Sequence, residues 1–343
     1  MRRTVPLIAL AAAAALLLSA CSGGGGSKSD STPKPKASAS TSASPAAFSC
    51  DVKSGQQSDS ITVSGSLGAE PKVTLPKTVT AKSAQRTITT TGTGTKVQSG
   101  ATAFAEFAVY NGTTGKELDA EGFGGPAFSF TAGTGQALPL FDHMFDCVPV
   151  GSRVVLTEPA STAFGAGADP TQLGLAATDT AVFIGDLVYV APDLPASSKA
   201  DGAAQPAKAG FPAVKLDASG TPAVTIGKAT KPTTTQIEVL KKGTGAVVKS
   251  GDFVSTQYQG VEFASGKTFD QSWGRGVATF QTNGVVAGFT KALVGQTVGS
   301  QVVAVIPPAE GYGANPPQGQ SIITSSSTLV FVVDILQTAA AAK

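Results

Sequence analysis

Side chains suited to proton transfer or metal binding are few in this chain. Its 343 residues hold one histidine, His143, and three cysteines, Cys21, Cys50 and Cys147. That supply is too small for most His-rich or Cys-rich zinc sites, so no metal or cofactor is expected. His143 stands beside Asp142 with no second histidine in the chain, and reads as a surface or core residue rather than a ligand or general base. Two glycine-bearing strings fall short of nucleotide chemistry. A phosphate loop ending in Gly266-Lys267-Thr268 would need glycine where Val261 stands, and Gly92-Thr93-Gly94 lacks the later glycine of a dinucleotide fingerprint. What remains is a spaced, largely aromatic set: Tyr258, Phe269-Asp270, Arg275, Val285-Val286, Phe289, Tyr312 and Phe331. It takes in half of the four tyrosines.

The strings around these residues follow a definite order. Tyr258-Gln259-Gly260 precedes Gly266-Lys267-Thr268-Phe269-Asp270-Gln271-Ser272 and Arg275. Val285-Val286-Ala287-Gly288-Phe289 and Ala292-Leu293 follow, then Pro307-Pro308-Ala309-Glu310-Gly311-Tyr312-Gly313 and Leu329-Val330-Phe331. From about Lys241 to Leu336 the chain resembles an FKBP-type peptidyl-prolyl cis-trans isomerase domain. The resemblance implies an α+β fold in which a curved antiparallel sheet wraps around one short helix, with an apolar pocket between them. Carried over residue by residue, it makes Tyr258, Phe269, Asp270 and Tyr312 catalytic, and Arg275, Val285, Val286, Phe289 and Phe331 substrate-binding. One departure stands out. The pocket floor, tryptophan in well-known members, is Phe289 here, and the sole tryptophan is Trp273, in the loop after Asp270. Phenylalanine is an accepted variant, so a shallower preference is expected rather than a lost activity.

The same chemistry follows from the side chains. An X-Pro bond isomerises slowly because the amide must lose resonance, a barrier of about 18–20 kcal/mol. No proton need move; the catalyst must favour the twisted amide over either planar form. A dry aromatic pocket does so by holding the proline ring. A phenol such as Tyr312 can hold a neighbouring carbonyl, and Asp270 can accept a hydrogen bond from the peptide. Buried alone, Asp270 would be costly, which points to Arg275 and Tyr258 as its partners.

The elements that position this set occur twice. Gly92-Thr93-Gly94 and Ser99-Gly100 return as Gly243-Thr244-Gly245 and Ser250-Gly251, 151 residues later. Pro71-Lys72-Val73-Thr74 returns, more loosely, as Pro222-Ala223-Val224-Thr225 at the same spacing. Val150-Gly151-Ser152 and Val182-Phe183 return as Val298-Gly299-Ser300 and Val330-Phe331, now 148 residues later. The change places a three-residue insertion between about Asp119 and Leu138 of the first copy. Strands dominate, as at Phe253 to Tyr258, Ser300 to Ile306 and Thr328 to Leu336, with one short helix per copy, at Pro139 to Cys147 and Val286 to Val294. In the first copy Phe107 stands for Tyr258, Leu118 for Phe269, Asp119 for Asp270, Phe141 for Phe289, Phe164 for Tyr312 and Phe183 for Phe331. No arginine occupies the stretch just after Asp119, where Gly122-Phe123-Gly124-Gly125 stands, so that copy keeps the apolar half of the pocket and reads as weakly active or inactive.

The N-terminus reads as an address. Arg2 and Arg3 precede the apolar run Leu7 to Leu18, too short to span a bilayer as a helix, and Leu18-Ser19-Ala20-Cys21 resembles a bacterial lipobox. Expected boundaries are a signal peptide at 1–20, a flexible Gly/Ser/Pro/Lys stalk at 21–49, a first domain at 50–191, a linker at 192–210 and a catalytic second domain at 211–338. Lipid on Cys21 would hold the chain on the outer face of the cytoplasmic membrane. In that oxidising setting Cys50 and Cys147 suggest one disulfide, two unpaired buried thiols being the alternative. A net charge of +2 gives no basic excess for nucleic acid. The expected partners are therefore proline-containing segments of exported proteins. The rival readings are a non-enzymatic FKBP-like chaperone or peptide-binding lipoprotein and, more distantly, a solute-binding lipoprotein, which two compact repeats do not suit.

Overall fold

The computed structural model describes residues 48–165 and 168–343. The expected signal peptide, the lipidation site at Cys21 and nearly all of the stalk lie outside the described residues.

Period-2 alternation in the strands explains the layering. In the second half, Leu329, Phe331, Val333 and Ile335 point into one core, and Val330 and Val332 into another on the opposite face. Val302, Ala304 and Ile306 alternate with Val303 and Val305 in the same way. With both faces covered, these strands read as nearly unbroken apolar runs.

The first half contains α1 (Gln56–Asp59), β1 (Thr62–Ser64), β2 (Lys72–Thr74), β3 (Gln85–Thr90), β4 (Thr102–Asn111), β5 (Glu117–Glu121) and β6 (Phe128–Thr131). It continues through α2 (Pro139–Phe145), β7 (Ser152–Pro159), α3 (Ala160–Ala163) and β8 (Thr180–Val190). Its antiparallel sheet has the order β3-β7-β8-β4-β5, with β6 also on β4. The second half contains β9 (Ala203–Ala204), β10 (Ala213–Leu216), β11 (Pro222–Thr225), β12 (Gln236–Lys242), β13 (Phe253–Glu262), β14 (Thr268–Gln271) and β15 (Ala278–Gln281). After these come α4 (Ala287–Leu293), β16 (Gln301–Ile306) and β17 (Leu329–Ala339). Its sheet runs β14-β13-β17-β16-β12-β9, with β15 on β13. A hairpin, β10–β11, covers the face away from α4 through Val214 and Val224; β1–β2 is its counterpart.

The repeat extends to the register. Asp270 pairs with Gly260 as Asp119 pairs with Val109, and Ala304 with Phe331 as Leu156 with Phe183. Glycine is obligatory at the recurring Gly-Thr-Gly strings, because a Cβ on Gly243 would lie 2.1 Å from the Val298 carbonyl oxygen.

Four expectations are corrected. The first half carries three short helices, not one, since Ala160–Ala163 closes a full turn where the second half makes only a 3₁₀ turn at Pro308–Glu310. The insertion is split: one residue falls between β5 and β6 and two between β6 and α2. Much of the segment read as a linker is fixed to the second sheet. Lys241 and Lys242 pair with β9, and the Ala200 amide donates to Asp334 at 2.8 Å. The stalk ends earlier than expected, because Phe48 packs on the first core and the Ser49 amide donates to Asp146 at 2.8 Å. Cys50 and Cys147 form a disulfide with Cα atoms 5.4 Å apart.

The halves meet through Phe104, Val188, Tyr189 and Phe253. The Tyr189 and Phe253 rings stack 4.4 Å apart.

Candidate active site

The candidate site sits between α4 and the face of the second sheet that packs on it. Val286 caps α4 with its carbonyl, accepting from the Phe289 amide at 2.9 Å, which turns the Phe289 ring into the core one residue inside the first turn. Phe289 is 4% exposed and forms a floor. Three rings stand edge-on around it: Phe331 at 4.9 Å and 77°, Phe280 at 5.7 Å and 77°, and Tyr258 at 6.3 Å and 82°. Phe269 meets Phe331 edge-on at 5.5 Å. Val285, Val286 and Tyr312 are half-buried against the same core.

Two local features gather these groups. A bulge in the β13–β14 ladder lets Val261 pair with Thr268 while Gly260 pairs with Asp270, so Phe269 is the unpaired residue. A bulge re-aims side chains, and here consecutive residues serve one site, Phe269 through its ring and Asp270 through its carboxylate. Gly260 gives the room. A Cβ there would lie 2.6 Å from Phe269 and 2.9 Å from Phe331.

The polar fittings converge on Asp270. The Tyr258 hydroxyl donates to one carboxylate oxygen. Arg275 donates to the other and to the Gln271 carbonyl. The Asp270 side chain is 35% exposed, less buried than its sequence context suggested, and Arg275 is 64% exposed. Burial, and then the bond to Asp270, push the Tyr258 phenol above its ordinary range, so it remains a hydrogen-bond donor. Burial raises Tyr312 too, with the Asp270 charge second. Below the ring set, Ser272 accepts from the Tyr258 amide at 2.8 Å and donates to Gln257 at 2.5 Å, fixing the start of the loop that carries Arg275. Lys291 on α4 pairs with Glu310 at 2.8 Å, tying the helix to the segment bearing Tyr312.

The structure therefore groups these side chains: Tyr258, Phe269, Val285, Val286, Phe289, Tyr312 and Phe331 share one apolar cluster, and Asp270 and Arg275 join it through Tyr258. Sequence reasoning missed Phe280 and Ser272. Phe280 has a counterpart in Phe130, at a spacing of 150 that lies between the two spacings the motifs reveal. Elsewhere, His143 pairs through Nδ1 with fully buried Glu158 at 2.9 Å, a structural contact in the first half.

In that half Phe107 and Phe141 meet edge-on at 5.5 Å, as Tyr258 and Phe289 do. Asp119 has neither a phenol nor an arginine on it, and its carboxyl is raised by burial, partly offset by the Ala120 amide.

Among the described residues no group of three or more His, Cys, Asp or Glu is placed to hold a metal ion, and no helix is long and apolar enough to cross a membrane.

Residues 245–336 match the family model described as FKBP-type peptidyl-prolyl cis-trans isomerase. A probable FK506-binding protein of Corynebacterium glutamicum is 39% identical over 95 residues, 27% of this chain and 78% of that protein. An FK506-binding protein of Streptomyces anulatus is 35% identical over 103 residues, 29% of this chain and 82% of that one. The FKBP-type isomerase FkpA of Escherichia coli K12 is 36% identical over 107 residues, 31% of this chain and 38% of FkpA. With a curated relative above 30% identity matched over most of its length, the chain belongs to the FKBP-type peptidyl-prolyl cis-trans isomerase family.

Proposed function

We propose that the second half isomerises X-Pro bonds in exported proteins while the chain is held at the membrane by lipid on Cys21. The observation that carries this reading is the Tyr258–Asp270–Arg275 group on the rim of a floor made by Phe289. A proline ring entering over Phe289 leaves water. The twisted amide, less conjugated and less polar than the planar forms, is the state such a pocket favours. The Tyr312 phenol would hold a carbonyl of the peptide, and Asp270, fixed by Tyr258 and Arg275, would accept from a backbone N–H. No proton transfer, metal or cofactor enters.

In this reading residues 50–191 and 211–338 are tandem FKBP-like domains, of which the first has lost turnover. The matching registers favour a common fold, and the exchange of Tyr258 and Tyr312 for Phe107 and Phe164 accounts for the difference in chemistry. A disulfide suits an exported chain. Cys21→Ser should move the chain from the membrane fraction to the soluble one; unchanged membrane association would exclude the lipid anchor.

Isomerisation of an X-Pro peptide by the full chain tests the activity. Accelerated cis-trans exchange is expected. Peptide binding without acceleration would instead favour the non-enzymatic holding role.

A further inference from the structure

We propose that Phe128 is a built-in plug, filling in the first half the space that a proline ring takes above Phe289 in the second. The inference rests on reading the second half as the peptide site.

The two ladders align without ambiguity. On β15, Thr256 faces Ala278 and Val254 faces Phe280; on β6, Ala105 faces Phe128 and Ala103 faces Phe130. Phe130 is thus the counterpart of Phe280, and Phe128 the counterpart of Ala278. A methyl group on the rim of one site has become a phenyl ring on the rim of the other.

Ring geometry says where that phenyl went. Phe289 has its ring neighbours Tyr258, Phe280 and Phe331 at 77° to 82°, so none of them stacks parallel to it. Phe141 instead has Phe128 stacked on it at 4.8 Å and 14°, and Phe130 at 5.1 Å and 22°. Phe128 also meets Phe107 edge-on at 5.7 Å. The phenyl packs against the counterparts of both Tyr258 and Phe289, where an incoming apolar ring would have to sit. A proline ring, smaller than phenyl, could enter only by displacing it. The helix beneath is bulkier as well. Met144 and Phe145 replace Ala292 and Leu293, and Gly185 replaces Val333 to admit them, a Cβ there lying 2.4 Å from the Met144 sulfur. The first half has filled itself with its own side chains.

Four full-length proteins test this: the native chain, Ala278→Phe, Phe128→Ala and the double variant. Each is titrated by calorimetry with the tetrapeptide Ala-Leu-Pro-Phe, assayed for isomerisation and checked by thermal melting. The native chain should bind one peptide. Ala278→Phe should lower kcat/KM by about tenfold or more without lowering the melting midpoint. Phe128→Ala should add a second binding site and leave turnover unchanged. The double variant should bind one peptide without turnover. Two peptides on the native chain, or a folded Phe128→Ala that gains no site, would overturn the plug. Should Phe128→Ala fail to fold, full activity in Ala278→Phe overturns it alone. A native chain that binds but does not turn over would sink the proposed activity and leave these binding counts decisive.

Discussion

The hydroxyl of Tyr258 donates to the carboxylate of Asp270 across the β13–β14 ladder, where Asp270 is register partner not to Tyr258 but to Gly260, two residues on. Diagonal neighbours on one face of an antiparallel pair lie within reach of a tyrosine, so the contact follows from the register. The contact fixes a half-exposed carboxylate beside the aromatic cluster around Phe289 without burying it.

Tyr258→Phe keeps the ring contacts with Phe280 and Phe289 and removes only the hydroxyl. A hydrogen bond to a charged group contributes about 1.5–3 kcal/mol to stability, so the thermal midpoint should fall by a few degrees. With Asp270 no longer fixed, kcat/KM for an X-Pro peptide should fall about tenfold or more. Full activity in a folded Tyr258→Phe would remove the Asp270 contact from the catalytic account.

Gly260→Ala should damage both fold and site. Its methyl would press on Phe269 and Phe331, and overpacking of this kind costs about 1–3 kcal/mol. Thermal melting and the isomerase assay should show a lower midpoint and a lower kcat/KM together. The first half has Val109 at this position and Leu118 in place of Phe269.

The Cys50–Cys147 disulfide closes a loop of 97 residues. Replacing both cysteines by serine should destabilise the first half by about 2–5 kcal/mol, read as an earlier denaturant midpoint. Turnover at temperatures where the chain remains folded should not change, because the site lies in the second half. A midpoint that ignores the substitution would mean that the reduced chain is already held by its core.

Glu106 makes stability depend on pH. It faces Asp186 directly across the β4–β8 ladder, is 7% exposed, and leaves Oε2 without a hydrogen-bond partner. Arg153 is engaged by Asp186 at 2.6 Å. Burial, followed by the Asp186 charge and opposed by Arg153 and Lys343, raises the Glu106 carboxyl from an ordinary 4.5 to about 7. The folded chain therefore holds a proton that the unfolded chain has lost between those values, and this contribution to stability falls as pH rises from 4.5 through 7. A shift of that size corresponds to about 3 kcal/mol. Glu106→Gln, which installs the residue type of its counterpart Gln257, should stabilise the chain at pH 8 and have little effect at pH 4. Equal gains at both values would show that ionisation is not the cause.

Much of the fold was legible because its signals are local. Alternating Val, Ile and Phe mark β16 and β17, and the repeated Gly-Thr-Gly strings mark backbone approaches that admit no side chain. The side chains that gather around Phe289 and Asp270 stood out for a similar reason, since each lies in a short string with fixed spacing. Phe280 was not, because its strand of four residues lies in the region where the repeat changes spacing. Nor was the docking of 196–208 on the second sheet, where Ala, Pro and Ser give no apolar pattern and the anchors are backbone amides meeting Asp334 and Glu238. His143 read as a structural residue, but its partner, Glu158, was not legible, being fifteen residues away on another element. Side-chain pairing across a sheet is set by register, which composition does not reveal.

The most direct test compares the full chain with its Tyr258→Phe/Asp270→Ala double variant in cis-trans exchange of an X-Pro peptide, followed by nuclear magnetic resonance. Fast exchange with the native chain, falling to nearly the uncatalysed rate with the variant, is the expected result. A folded variant that keeps most of the native rate would place catalysis outside the second-half pocket and contradict the central claim.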